Sequence, residues 1–418
     1  MNSSNNNTHT QQKKIGWKLS GLSEKLNYSG KRKNTCHHQG DSSRESIQSY
    51  SLRHKKFRRL FKIQEQVLSK GVHNTVRHCR RVASFTSSEI TATEGKNSGS
   101  IKGVFCCSSS HCPVCSHHVS NKHKNRLKKV IDYSKNEQLS IVMMSLTFSH
   151  ELGDNLKDIL QKLSEAKTYL MNSKKFRAME IQWHISRLEF TYGANGFHPH
   201  YHVAMGVKSW QVQNDEILKL EWMRVCKRFG LSCSYDNGLD IIIDDNFQEV
   251  ENYIMKESKD LVQEMTSDGT KSGRFNSVSI EYLMDILAGF ETDDRFSKEA
   301  ARIILQKYYE GIKGKAIFSA SHKFKKIVDL IEEQEEEVDC GETEDDDQEQ
   351  SQTSQSSLRI GRWILHHLAV NNNLHYLYDF VGHNDLTRLY DELLAILPER
   401  LINGVVWIDG TEQNARAA

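Results

Sequence analysis

Residues 197–205 read Phe197-His198-Pro199-His200-Tyr201-His202-Val203-Ala204-Met205. Three histidines fall on alternate positions, and the residues between and after them are apolar or aromatic. In an extended strand, side chains at i, i+2 and i+4 share one face. His198, His200 and His202 therefore project together, while Tyr201, Val203 and Met205 point the other way, into a core. Two imidazoles held in cis on a strand supply half of a divalent metal site and leave positions open for substrate oxygens. The alternative is a surface strand that happens to be rich in histidine.

Working outward, Gly193-Ala194-Asn195-Gly196 is a four-residue, glycine-containing hairpin loop that joins this strand to Ile181–Tyr192. Further strand patterns cover Ile141–Phe148 and Leu239–Ile243, and helical patterns cover Asn155–Asn172, Asp215–Phe229 and Phe247–Leu261. Such a mixture predicts an α+β fold, an antiparallel sheet with helices on one side. In the last helix Phe247, Val250, Ile254 and Leu261 form the apolar stripe, with Asp245 or Asn246 as the N-cap. Glu249, Tyr253, Lys256 and Asp260 share a second face, because i, i+4 and i+7 stack on a helix.

Taken together, four stretches between about residues 70 and 328 resemble the rolling-circle replication initiators of plasmids, in the HUH endonuclease superfamily (histidine, hydrophobic residue, histidine). Ser145-Leu146-Thr147 resembles the first strand motif, and His200-Tyr201-His202 the metal-binding motif. Glu249, Tyr253 and Lys256 match the nucleophile motif. Gly311-Ile312-Lys313-Gly314-Lys315-Ala316-Ile317-Phe318-Ser319, followed by Lys323, resembles the closing segment. The resemblance implies an HUH, ferredoxin-like endonuclease domain in which Tyr253 attacks a phosphodiester at the origin, leaving a 5′-phosphotyrosine and a free 3′-OH. It implies Mg2+ or Mn2+ on His200, His202 and a third ligand. Glu189 is the candidate, since the hairpin pairs its strand with the histidine strand and places it near His200. His198 stands beside the pair as a supporting or DNA-contacting residue. No second tyrosine lies one turn from Tyr253; Glu249 occupies that place and suits termination by hydrolysis. Lys256 either lowers the phenol pKa or holds a phosphate. A relaxase or single-strand transposase would share this chemistry, although relaxases usually carry the tyrosine ahead of the histidines. A zinc-stabilised DNA-binding regulator without catalysis is the reading from another class.

Nine cysteines and no evident signal segment suit a reducing, cytoplasmic setting, in which metal explains clustered cysteines better than disulfides do. Cys107, Cys112 and Cys115 include a Cys-x2-Cys knuckle with structural-zinc spacing, and Cys79 is the candidate fourth ligand. Cys106 is an alternative to Cys107; His111, His117 and His118 are alternatives to Cys79.

The net charge of +2 averages opposing blocks. Residues 1–130 carry 25 Lys and Arg against 6 Asp and Glu, whereas residues 332–357 carry 12 acidic residues and no basic ones. Lys124, Arg126, Lys128 and Lys129, with Lys313 and Lys315, are candidate contacts to single-stranded or supercoiled origin DNA. The chain divides into a disordered polar tail (1–50), a basic helical and zinc-binding region (51–130), the endonuclease domain (131–330), an acidic disordered linker (331–357) and a helical C-terminal unit (358–418). In that last unit Ile360, Trp363, Ile364, His367 and Leu368 follow helical spacing, and oligomerisation or recruitment of a host helicase are its candidate roles; a host helicase and polymerase are candidate partners of the whole chain. No apolar run is long enough to span a bilayer.

Overall fold

The computed structural model describes residues 42–95, 99–208, 210–211, 213–244, 277–339 and 356–408. Glu249, Tyr253 and Lys256, with the helix expected over Phe247–Leu261, most of the N-terminal tail and most of the acidic linker lie outside the described residues.

Among the described residues ten strands are numbered in chain order: β1 (Glu89–Thr93), β2 (Ser100–Lys102), β3 (Ser140–Leu146), β4 (Ile181–Gly193), β5 (Gly196–Val207), β6 (Leu239–Asp244), β7 (Val278–Ser279), β8 (Phe318–Ala320), β9 (Ser357–Gly361) and β10 (Val405–Ile408). Six of them form an antiparallel sheet in the order β6-β3-β5-β4-β7, with β8 also on β4. The β4–β5 hairpin runs in register from Trp183↔Gly206 to Gly193↔Gly196 and sets Glu189 opposite His200. Gly206 is required there, because a Cβ at that position would sit 2.3 Å from Trp183 Nε1.

The strand alternation sorts the residues into two faces. Val142, Met144, Leu146, Leu188, Phe190, Tyr201, Val203 and Met205 enter one core, beneath helices Leu156–Met171, Gln213–Arg228, Ile280–Ala288 and Lys298–Gly311. Asn155 caps the first of these by accepting from Lys157 N–H and Asp158 N–H. The expected layer of helices on one side is thus present, but the opposite face is covered too. Ile141, Met143, Trp183, Ile185 and Ala204 are apolar on the histidine face and need cover. Val130 of helix Cys115–Asn136 and Phe324 and Val328 of helix His322–Asp339 provide it. That face is therefore apolar at one end and carries the histidines at the other.

A second antiparallel sheet, β10-β9-β1-β2, joins the chain's distant parts: Ile90 pairs with Ile360 and Thr93 with Ser357. Helices Arg362–Val370, Leu374–His383, Leu386–Ile396 and Glu399–Ile402 follow β9. They do not form a unit of their own, however, because Leu358, Ile360, Leu365, Leu377 and Leu393 share a core with Ile90, Ala92 and Val104. Two short strands flanking four helices were hidden by the stronger helical period.

Helix Ser42–Gln66 ties these parts together. Leu60 and Ile63 enter the main core, Phe57 and Phe61 lie 4.5 and 5.4 Å from the Tyr378 ring, and Arg59 forks onto the buried Asp285. Asp285→Ala leaves Arg59 buried without its carboxylate, which costs about 3–5 kcal/mol. The expected result is a large fall in the urea midpoint of the full chain, and an unchanged midpoint would show that the pair contributes nothing.

Candidate metal centre

His200 and His202 on β5 and Glu189 on β4 converge because the register brings one carboxylate opposite two imidazoles on the same sheet face. Glu189 Oε2 lies 3.5 Å from His200 Nε2 and 3.3 Å from His202 Nε2. All three donor atoms fall within 4.8 Å of one another. Adjacent ligand atoms in an octahedral shell of roughly 2.1 Å radius are about 3 Å apart, so small rotations would bring these three onto one ion. Glu189 Oε1 is buried and lacks a well-angled hydrogen bond, even though Arg187 Nη1 is 2.5 Å away. Burial works to raise the Glu189 carboxyl, but the Arg187 guanidinium and the two imidazoles override it and hold it well below the usual carboxylate range. A carboxylate and two imidazoles make a donor set suited to a hard or borderline divalent cation.

Ser145 completes the arrangement. Its Oγ lies 2.9 Å from His202 Nδ1, which fixes the ring and leaves Nε2 directed at Glu189. Ser145 faces His202 directly across β3 and β5. His198 lies next along the strand, with His150 Nδ1 3.2 Å from its Nδ1. Burial, together with His200 and His150, pushes His198 down to about 4. A cavity of about 320 Å³ opens beside the centre, lined by Lys56, Arg187, Glu189, His200, Glu281 and Tyr308. Burial raises the Glu281 carboxyl, against the pull of Arg59 and Arg187.

The zinc-type ligands also gather. Cys79, Cys107, Cys112 and Cys115 place their sulfurs within 4.8 Å of one another. The Cys79–Cys115 separation of 3.7 Å matches the roughly 3.8 Å edge of a tetrahedron with 2.3 Å Zn–S bonds. Ser109 N–H points at Cys107 Sγ from 3.5 Å, and Gln64 Nε2 donates to Cys79 O at 2.7 Å. Of the alternatives, Cys106 is exposed. His111 has a different partner, its Nε2 lying 3.0 Å from Lys315 O. With Cys112 and Pro113, His111 forms a wall of the cavity beside the histidine centre.

The candidate DNA-contacting cations are scattered by the fold. Lys124, Arg126, Lys128 and Lys129 ride on helix Cys115–Asn136, where Arg126 pairs with Glu332 at 3.3 Å and Lys128 is exposed. Lys313 donates to Gly71 O at 2.9 Å, and Lys315 to Gln161 Oε1 at 2.6 Å. Both are spent partly on holding the closing segment in place. Sequence reasoning named the Ser145 strand without its serine's partner, and it missed Arg187, His150 and Glu281. Only the Ser145 pairing had a usable signal, the alternation that puts Ser145 and His202 on the same sheet face.

An α+β chain with a two-histidine, one-carboxylate centre beside a four-cysteine centre is equipped to hold metal at two places. Residues 99–366 match the family model Replication protein (Rep_1), and the chain belongs to this family of replication proteins. The match takes in both centres except Cys79. No curated protein and no solved structure matches the chain. Among the described residues, no helix is long and apolar enough to cross a membrane.

Proposed function

We propose that the chain initiates rolling-circle replication by nicking one strand of a plasmid origin through Tyr253, as an HUH-type endonuclease of the tyrosine-plus-glutamate kind. The observation that carries this reading is the convergence of Glu189, His200 and His202 on one sheet face. These residues would hold Mg2+ or Mn2+, which when bound stabilises the charge developing on the scissile phosphate. The Tyr253 hydroxyl forms the new O–P bond as the bond from phosphorus to the 3′ oxygen breaks. The phenol gives up its proton, and the departing oxygen gains one to become the 3′-OH from which a host polymerase extends. Free tyrosine has a pKa of about 10, so Lys256, one turn on, assists by favouring the phenolate or holding the phosphate. Glu249 serves at termination, taking a proton from the water that releases the strand. Ser145 and Arg187 position His202 and Glu189. The four cysteines hold structural Zn2+. Basic residues of the first 130, Lys124, Lys128 and Lys129 among them, bring in single-stranded or supercoiled DNA.

The test is to trap the full-length protein on a 3′-labelled origin oligonucleotide with Mn2+ and map the adduct by mass spectrometry. A nucleotide on the peptide bearing Tyr253, formed only with metal, supports the proposal. Attachment to Tyr201 or Tyr282 would move the nucleophile, and DNA binding with no adduct would overturn catalysis in favour of a zinc-stabilised regulator. In the same assay Glu249→Gln is expected to form the adduct normally but to release it by hydrolysis about 10²–10⁴-fold more slowly. Adduct lifetime measures this, and a wild-type lifetime would remove Glu249 from termination.

A further inference from the structure

A second groove, of about 550 Å³, lies between the loop leading into β1 and helix Arg362–Val370, and it shares no lining residue with the cavity beside the histidine centre. Its lining includes Arg81, Val82, Phe85, Arg362, Trp363 and His366 and contains no carboxylate. Phe85 is 98% exposed and Trp363 65%, although helical spacing had placed Trp363 on the buried stripe. Trp183 and Trp222 are fully buried and Trp407 is 40% exposed, so aromatics left as open as Phe85 and Trp363 call for a partner. The platform is also held in place. Ser84 N–H donates to Gly103 O at 2.8 Å and Phe105 N–H to Val82 O at 2.9 Å, which fixes the residues leading into Phe85, and Ser87 N–H donates to Ser84 O at 3.1 Å across it. Arg362 N–H reaches Ser88 O at 3.3 Å. Arg81 Nη2 donates to Ala369 O at 3.1 Å and ties the loop to helix Arg362–Val370. The Arg362 guanidinium sits 5.1 Å from the Trp363 ring centre.

We infer that this groove binds single-stranded DNA, with bases stacked on Phe85 and Trp363 and phosphates taken by Arg362 and Arg81. Exposed aromatic faces beside cations, with no opposing carboxylate, are the physical requirement for sequence-tolerant stacking on a polyanion. A protein partner with an acidic, apolar face is the competing occupant, and double-stranded DNA is disfavoured because its bases present no free π-face. The inference rests on the chain's being a replication protein, not on the nicking chemistry. Arg81, Val82 and Phe85 lie ahead of the family match at residues 99–366, whereas Arg362, Trp363 and His366 lie inside it, so the match covers only part of this surface.

The test uses the full chain without added divalent ion. Fluorescence anisotropy would compare a dT20 oligonucleotide, an abasic oligomer of the same length and a 20-bp duplex. Trp363→Leu and Phe85→Ala are each expected to weaken dT20 binding by roughly 5- to 100-fold, while Trp363→Tyr retains most of it. The abasic oligomer should bind the wild type weakly and respond little to any of the three. Photocrosslinking of a 5-iodouracil oligonucleotide should mark the peptides bearing Phe85 and Trp363. Unchanged dT20 affinity in both variants, at unchanged melting temperature, overturns the inference, as does equal binding of abasic and base-bearing oligomers. Because binding is the readout, failure here is separate from failure to form the Tyr253 adduct.

Discussion

The double variant His200→Ala, His202→Ala is expected to slow covalent adduct formation on an origin oligonucleotide by about 10³-fold or more. Metal-ion stabilisation of a phosphoryl transition state is worth several kcal/mol, and each 1.36 kcal/mol is a factor of ten in rate. Both imidazoles face the same Glu189 oxygen, at 3.5 and 3.3 Å, so one histidine alone would leave a crippled two-ligand site. The double replacement leaves a lone carboxylate already engaged by Arg187. The fold should survive, because His200 and His202 belong to none of the apolar clusters that cover the sheet. Single-turnover rates over a Mn2+ titration, read beside thermal melting, check this. A wild-type rate at saturating metal would show that the three residues form an ordinary polar cluster.

The second large effect is expected from Cys112→Ser. Four thiols packed within 4.8 Å of one another form a poor core by themselves, since ionised sulfurs repel and neutral ones hydrogen-bond weakly. Its cysteine neighbours, with burial behind them, raise the Cys112 thiol well above its usual range, while Cys115 is driven down by its own cysteine contacts against burial. A cation resolves that conflict by taking all four as thiolates. Structural zinc contributes on the order of 10 kcal/mol to folding of the segment that holds it, so losing one ligand should release the metal and lower the melting temperature sharply. Nicking should fall as well, because His111, Cys112 and Pro113 wall the cavity beside Glu189 and His200. Zinc content by mass spectrometry of the purified protein, one ion in the wild type and a small fraction in the variant, decides the matter. A variant that keeps its zinc and its melting temperature would refute the assignment.

How far the sequence could be read depended on period and spacing. The β4–β5 hairpin was legible because a glycine-bounded loop separates two alternating runs, and the register then followed from pairing outward. The knuckle at Cys112 and Cys115 was legible because two-residue spacing has few other uses. Covering of the histidine face was not, since Val130, Phe324 and Val328 come from helices whose surfaces look mainly charged. β9 and β10 are five and four residues long, too short to outweigh the helical period between them. Arg187 and Glu281 carried no signal, because a charged residue acquires a role only once the fold brings its neighbour close.

One consequence concerns the order in which the chain can be completed. β1 and β2 are made early, but the partner they need, β9, follows roughly 260 residues later, with the whole histidine-bearing sheet between them. At ribosomal rates of about 5–20 residues per second, Ile90 and Ala92 wait on the order of 10–50 s for their core. The larger sheet is in effect an insertion between two halves of a smaller one. It can form first and hold both halves near each other, after which the carboxyl end closes the molecule.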